Sequence, residues 1–251
     1  MFWSKKVKCP ITEEDRQWVE EALGWLVNVF GKETLLQKQP ILPTKEQFSK
    51  ELNGVKEDAE YLLNFLLDVM DIKGKEINLS FYQNPKQIEF SEGLTTVRGD
   101  YDLSLGRYIE YDDGLIEILI EEELLKNPIS LIATLGHELA HVKLLSDKLI
   151  EENDEYLTDL TVIFFGLGIF NANTSLTKLN TWSGVSHSGW QISGGEGYVP
   201  YKVQAYAMAA ISNYRQETST DWSNYLEKEV KREFDKSLKY INLNIDQLSF
   251  K

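Results

Sequence analysis

The stretch ISLIATLGHELAHVKLLS (129–146) decides how this chain is read. Asn127-Pro128 before it supplies an N-cap and a first-turn proline, so a helix is predicted from there to about Ser146. On that helix His137 and His141 stand four residues apart and point the same way, one turn from each other. Both imidazoles can reach a single ion, and Glu138 lies one step round the same exposed face. In that place Glu138 is expected to act as a general base rather than a ligand. Leu135, Leu139, Leu144 and Leu145 can pack beneath the helix, and Ala140 leaves room beside the ligands. The competing reading is a polar interruption in a buried or solvated helix. His and Glu do pair on solvated helix faces, but with three His in the chain this spacing seldom arises by accident.

Two His do not complete a catalytic metal site, which normally has three protein ligands and an open position. The chain holds three His, so the remaining candidates can be enumerated. His187 lies in the long stretch NANTSLTKLNTWSGVSHSGWQISGGEG (171–197), read as a loop. Asp147 is the alternative carboxylate, although a helix that continues past His141 carries it away. The segment NDEYLTDL (153–160) fits better, because Glu155 and Asp159 share one face of the next predicted helix, 153–170. Glu155 is expected as the third ligand. Asp159 is expected to accept the free ring N–H of a ligating His, which sets its tautomer and raises its basicity.

This pattern resembles the gluzincin class of zinc metallopeptidases, whose HExxH helix is followed by a helix carrying E-x-x-x-D. The matching positions are His137, Glu138, His141, Glu155 and Asp159. One departure is the connection of thirteen residues between His141 and Glu155, shorter than is usual in that class. CPITEEDRQWVEE, LIATLGHELAHVKLL, EYLTDLTVIFFGLGIFNAN and GYVPYKVQAYAMA also resemble a group of bacterial HELAH-containing proteins, which brings no substrate with it. The resemblance implies a zincin-like fold, one Zn2+ per chain and hydrolysis of a peptide or protein substrate. The alternative is a regulatory, non-catalytic protein that keeps the fold and the metal. A developing oxyanion would need a donor besides the metal, and Tyr198, Tyr206 and His187 are the candidates.

The flanking sequence argues for an α+β chain. Helices are expected over 12–31, opened by a Thr12-x-x-Asp15 cap, and over 56–71. INLSFYQ (77–83) alternates as a half-buried strand, and RYIEYDDGLIEILIEE (107–122) reads as a hairpin turning at Asp113-Gly114. LIEILIEE (115–122) is expected as an edge strand in a small twisted sheet, open to a peptide substrate; a strand paired on both sides is the other reading. Residues 1–75 are expected as an N-terminal helical region, either a separate module or part of the same domain, and 76–251 as a zincin-like catalytic domain with two closing helices. The last of these carries Trp222, Leu226, Val230, Phe234 and Leu238 as a packing stripe.

Composition narrows the setting. The formal charge of −14 disfavours nucleic acid and anionic membrane surfaces as partners. The single Cys9 excludes an internal disulfide. The opening residues lack a secretory apolar run, and TVIFFGLGIF (161–170) is too short to span a bilayer. A reducing, cytoplasmic location is therefore expected.

Overall fold

Thr12 starts the first helix by accepting the amide hydrogen of Asp15, and Gly31 at φ 93° ends it. This α1 (Glu13–Phe30) buries Val19, Leu23 and Leu26, and a short α2 (Lys32–Gln37) follows. The computed structural model describes residues 7–83, 105–182 and 199–251. In α3 (Lys56–Val69) the buried Asp58 gathers the amides of Asn53, Gly54 and Val55, which turns the chain into the helix. Among the described residues, eight α-helices and a small three-stranded mixed sheet make an α+β fold.

The sheet consists of β1 (Ile77–Tyr82), β2 (Gly106–Glu110) and β3 (Ile116–Glu121), in the order β1-β3-β2. The Asp113-Gly114 turn joins β2 to β3 as an antiparallel hairpin in which Gly106 faces Ile120 and Glu110 faces Ile116. Gly114 takes φ 85°, a conformation that the turn requires and a side chain would resist. β1 runs parallel to β3, pairing Ile77 with Ile116 and Tyr82 with Glu121. The strand before the HELAH helix is therefore central. The expectation of an edge strand at 115–122 is corrected: β1 occupies the side that would have remained open. Among the described residues the edges are β1 and β2. Ile116, Ile118 and Ile120 alternate into the core, as the two-residue period of a strand requires.

A 3-10 turn (Glu122–Lys126) leads to α4 (Pro128–His141), capped by Asn127, whose side chain accepts from the Ser130 amide. The helix does not continue unchanged to Ser146, since Val142–Ser146 widens into a π-type turn. Nor is 153–170 one helix. α5 (Glu155–Phe164) and α6 (Gly168–Trp182) are separated at Gly166, which takes φ 91°. A Cβ on Gly166 would lie 2.5 Å from the carbonyl oxygen of Gln39. The incoming connection crosses here, with the Ile41 amide donating to the Gly166 carbonyl at 2.9 Å. Long-range contact thus breaks a segment whose apolar run favours continuing. The expected loop 171–197 is helical as far as Trp182, and its remainder lies outside the described residues.

α7 (Tyr201–Tyr214) and α8 (Lys228–Leu243) close the chain. Trp222 sits in a separate 3-10 turn before α8, yet still packs edge-on against Phe234 at 5.0 Å. Leu23 and Leu26 of α1, Leu62 of α3, Ile118 of β3, Leu139 of α4 and Phe234 of α8 belong to one continuous buried core. No helix among the described residues is long and apolar enough to cross a membrane.

Candidate metal centre

From Leu131 to Leu144, α4 and its π-type turn are buried almost without interruption. That setting changes the character of HELAH. His137, Glu138 and His141 are 5%, 4% and 6% exposed, so they do not occupy the open helix face that spacing suggests. Buried imidazoles need partners, and α5 supplies them.

The short connection brings α5 alongside α4. After the π-type turn, the Leu149 amide returns to the Leu144 carbonyl at 2.9 Å, and Lys148 takes φ 55° to reverse the chain. Asp154 caps α5 by accepting from the Leu157 amide, so Glu155 begins the helix directly against the two His. The His137 Nε2 atom lies 2.9 Å from Glu155 Oε2 and 3.1 Å from His141 Nε2. His141 Nε2 is 3.6 Å from the same carboxylate oxygen. His137, His141 and Glu155 thus form a group that could hold a metal ion.

The donor set fits a tetrahedral ion. Ligand atoms bound at about 2.0–2.1 Å in a tetrahedron stand roughly 3.3 Å apart, and the three observed separations bracket that value. The tautomers agree as well. His137 Nδ1 donates to Asp159 Oδ1 at 3.0 Å. The hydroxyl of Thr158 donates to the Asp154 carbonyl, so its oxygen is left to accept from His141 Nδ1 at 3.4 Å. Each ring therefore turns an Nε2 lone pair toward the shared point.

With no ion bound, a proton performs part of the same task. Burial opposes charge on His137, but hydrogen bonds to Asp159 and Glu155 outweigh it and push the pKa up to about 10. Burial and the neighbouring His137 cation hold His141 low and neutral. The Glu155 carboxyl is depressed against the effect of its burial, chiefly by the bond from His137.

Around this group, Asp159 accepts from three buried donors: His137 Nδ1, Asn171 Nδ2 and the Val199 amide. Glu155 Oε1 takes a hydrogen bond from Asn153 at 2.7 Å. β2 covers the other side. The backbone of Gly106 passes so close that a Cβ there would lie 2.8 Å from Glu138 Oε1 and 2.5 Å from Thr134 Cγ2. The Tyr108 ring lies nearly parallel to His141, with centroids 6.1 Å apart, and its hydroxyl donates to Glu110. Burial and that neighbouring carboxylate hold the Tyr108 phenol above its ordinary pKa.

No protein family, curated protein or solved structure matches the chain.

The remaining residues singled out from sequence fall elsewhere. Asp147 does not join the group; it pairs with Lys75 at 2.8 Å, because the π-type turn swings it outward. Tyr206 is fully buried in α7 and donates to Glu20 Oε1 at 2.8 Å, so its hydroxyl is committed to a carboxylate of α1. Burial and that carboxylate raise its pKa. Tyr198 and His187 lie outside the described residues. Sequence reasoning missed Thr158, Asn171, Gly106 and Tyr108. Thr158 and Asn171 carried a signal, since each is a polar residue within an apolar run and three or twelve positions from a suspected carboxylate. Gly106 and Tyr108 had none, because their proximity depends on the strand order.

Proposed function

We propose that this protein is a zinc-dependent peptidase of gluzincin type with a zincin-like fold, acting on a peptide or protein substrate. One observation carries the reading: two Nε2 atoms and one carboxylate oxygen converge at tetrahedral spacing, with a second carboxylate on the same helix that is not among the ligands. The N2O donor set and low coordination number favour zinc over harder ions, which take more oxygen ligands. Zinc, when bound, supplies Lewis acidity to water and to a substrate carbonyl. Glu138 takes the proton of the attacking water and passes it to the leaving amine nitrogen. Asp159 and Thr158 keep the two imidazoles turned through their Nδ1 protons. Because Tyr206 is engaged with Glu20, the donor that meets the oxyanion is sought elsewhere.

The low exposure of His137, Glu138 and His141 favours a second reading, a metal-containing regulatory protein without turnover. Elemental analysis and cleavage of a fluorogenic peptide mixture separate the two. Under the peptidase reading, purified protein carries one equivalent of zinc, and Glu138→Gln retains it but loses cleavage. Cleavage at the wild-type rate in Glu138→Gln refutes the mechanism. Bound zinc with no cleavage by the wild type supports the regulatory reading.

A further inference from the structure

Asp159 is itself held, and by a closed circuit. Its Oδ1 accepts from Asn171 Nδ2 at 3.1 Å and its Oδ2 from the Val199 amide at 2.9 Å. The Val199 carbonyl accepts from Gln204 Nε2 at 2.8 Å, and the same nitrogen donates to Ser175 Oγ at 2.9 Å. Ser175 Oγ donates in turn to the Asn171 carbonyl at 2.9 Å, which closes the ring. The circuit ties α5, α6 and the start of α7 together behind His137. Its geometry also decides which way the Gln204 amide faces. A carbonyl can only accept, so the group turned to Val199 must be the NH2, and both of its hydrogens are used.

The cost of this arrangement is informative. Gln204 is fully buried, and its Oε1 has no hydrogen-bond partner among the described residues. A buried acceptor without a partner is destabilising, and an apolar side chain of the same size would avoid the penalty. Packing alone therefore does not account for a glutamine here, whereas the need for two donors does. We propose that Gln204, acting through Ser175, Asn171 and Val199, is a positioning residue for the metal centre: it holds Asp159 so that His137 presents Nε2 to the ion. The inference rests on the metal reading above.

The same circuit makes the backbone at Val199 sensitive to the metal. Bound zinc would tie His137, His141 and Glu155 to one ion, so any local opening that releases His137 from Asp159 would be opposed by the binding energy. The Val199 amide, bonded to the other oxygen of that carboxylate, then opens less often.

The test compares wild type with Gln204→Met, which keeps the length and loses both donors, and Ser175→Ala, which removes one hydroxyl and leaves the packing nearly intact. Zinc affinity is measured by competition with a chromophoric chelator, and exchange of the Val199 amide is measured with and without zinc. Gln204→Met is expected to bind zinc severalfold more weakly, less than the roughly 10–100-fold loss that follows removal of a residue bonded directly to a metal ligand. Ser175→Ala is expected to show a smaller loss in the same direction. Zinc should slow Val199 exchange in wild type and do so less in both variants. If the variants melt at lower temperature but bind zinc like wild type, and keep the zinc effect on Val199, the ring is scaffold alone and the proposal is overturned. Should Gln204→Met fail to fold, Ser175→Ala decides by the same two readouts. Absence of zinc binding in wild type is a different failure, because it removes the metal reading and this inference with it.

Discussion

Replacing Asp159 by Asn probes the centre with the least change of shape. The carboxylate is fully buried and accepts three hydrogen bonds, from His137 Nδ1 at 3.0 Å, Asn171 Nδ2 at 3.1 Å and the Val199 amide at 2.9 Å. An amide keeps one acceptor oxygen. Placed toward His137 and Asn171, that oxygen preserves two of the bonds, and its NH2 then faces the Val199 N–H, donor against donor. The Val199 N–H and the new NH2 are then both buried without an acceptor, at about 1–3 kcal/mol for each group. The reverse orientation orphans the donors of both His137 and Asn171 together with the new NH2, and is worse. The anion behind His137 is also lost, and such losses weaken metal affinity by roughly 10–100-fold, or about 1.4–2.7 kcal/mol. The two effects are read separately: urea unfolding of the metal-free protein gives the first, and chelator competition for zinc gives the second. Asp159→Ala would orphan all three donors at a cost of roughly 3–9 kcal/mol, comparable to the whole stability of many domains, so Asn is the informative choice. Wild-type zinc affinity together with an unchanged urea midpoint in Asp159→Asn would refute the account of Asp159 as the support of His137.

Three further predictions concern protons and packing. The His137 pKa is raised, so its contribution to metal-free stability is complete below its ordinary value near 6.5 and is lost as pH rises through about 10. Zinc must displace that proton; affinity should therefore rise about tenfold per pH unit between pH 7 and 9, with one proton released, as calorimetry in buffers of different ionisation enthalpy will show. A pH-independent affinity refutes the protonated His137. Tyr206→Phe removes one donor from Glu20, a side chain only 1% exposed, and should destabilise by about 1.5–3 kcal/mol in thermal unfolding while leaving zinc affinity and cleavage unchanged. A selective loss of turnover in that variant would return Tyr206 to the reaction. Gly106→Ala drives a methyl group to 2.5 Å from Thr134 Cγ2 and 2.8 Å from Glu138 Oε1, at a cost of about 1–3 kcal/mol. Peptide cleavage should fall more than zinc content does; equal retention of both shows that Glu138 does not depend on the strand above it.

What could be read from sequence was local. The i, i+4 placement of His137 and His141, and of Glu155 and Asp159, follows from about 100° of rotation per helical residue and needs no knowledge of the rest of the chain. The cap at Asn127 and the turn at Gly114 are likewise set by neighbours in sequence. Tertiary structure decided whatever depends on a partner distant along the chain. β1 pairs beside β3 and makes it central, which periodicity cannot indicate, because alternation reports which face is buried and not what lies at the strand's flank. Gly166 breaks a helix because Gln39 crosses it. Tyr206 turns to Glu20, 186 positions away, since a buried phenol takes whichever acceptor packing brings within reach. The same holds for Thr158 and Asn171: their residue types allowed a hydrogen bond, and only the docking of α5 and α6 against α4 determined that His141 and Asp159 would receive it.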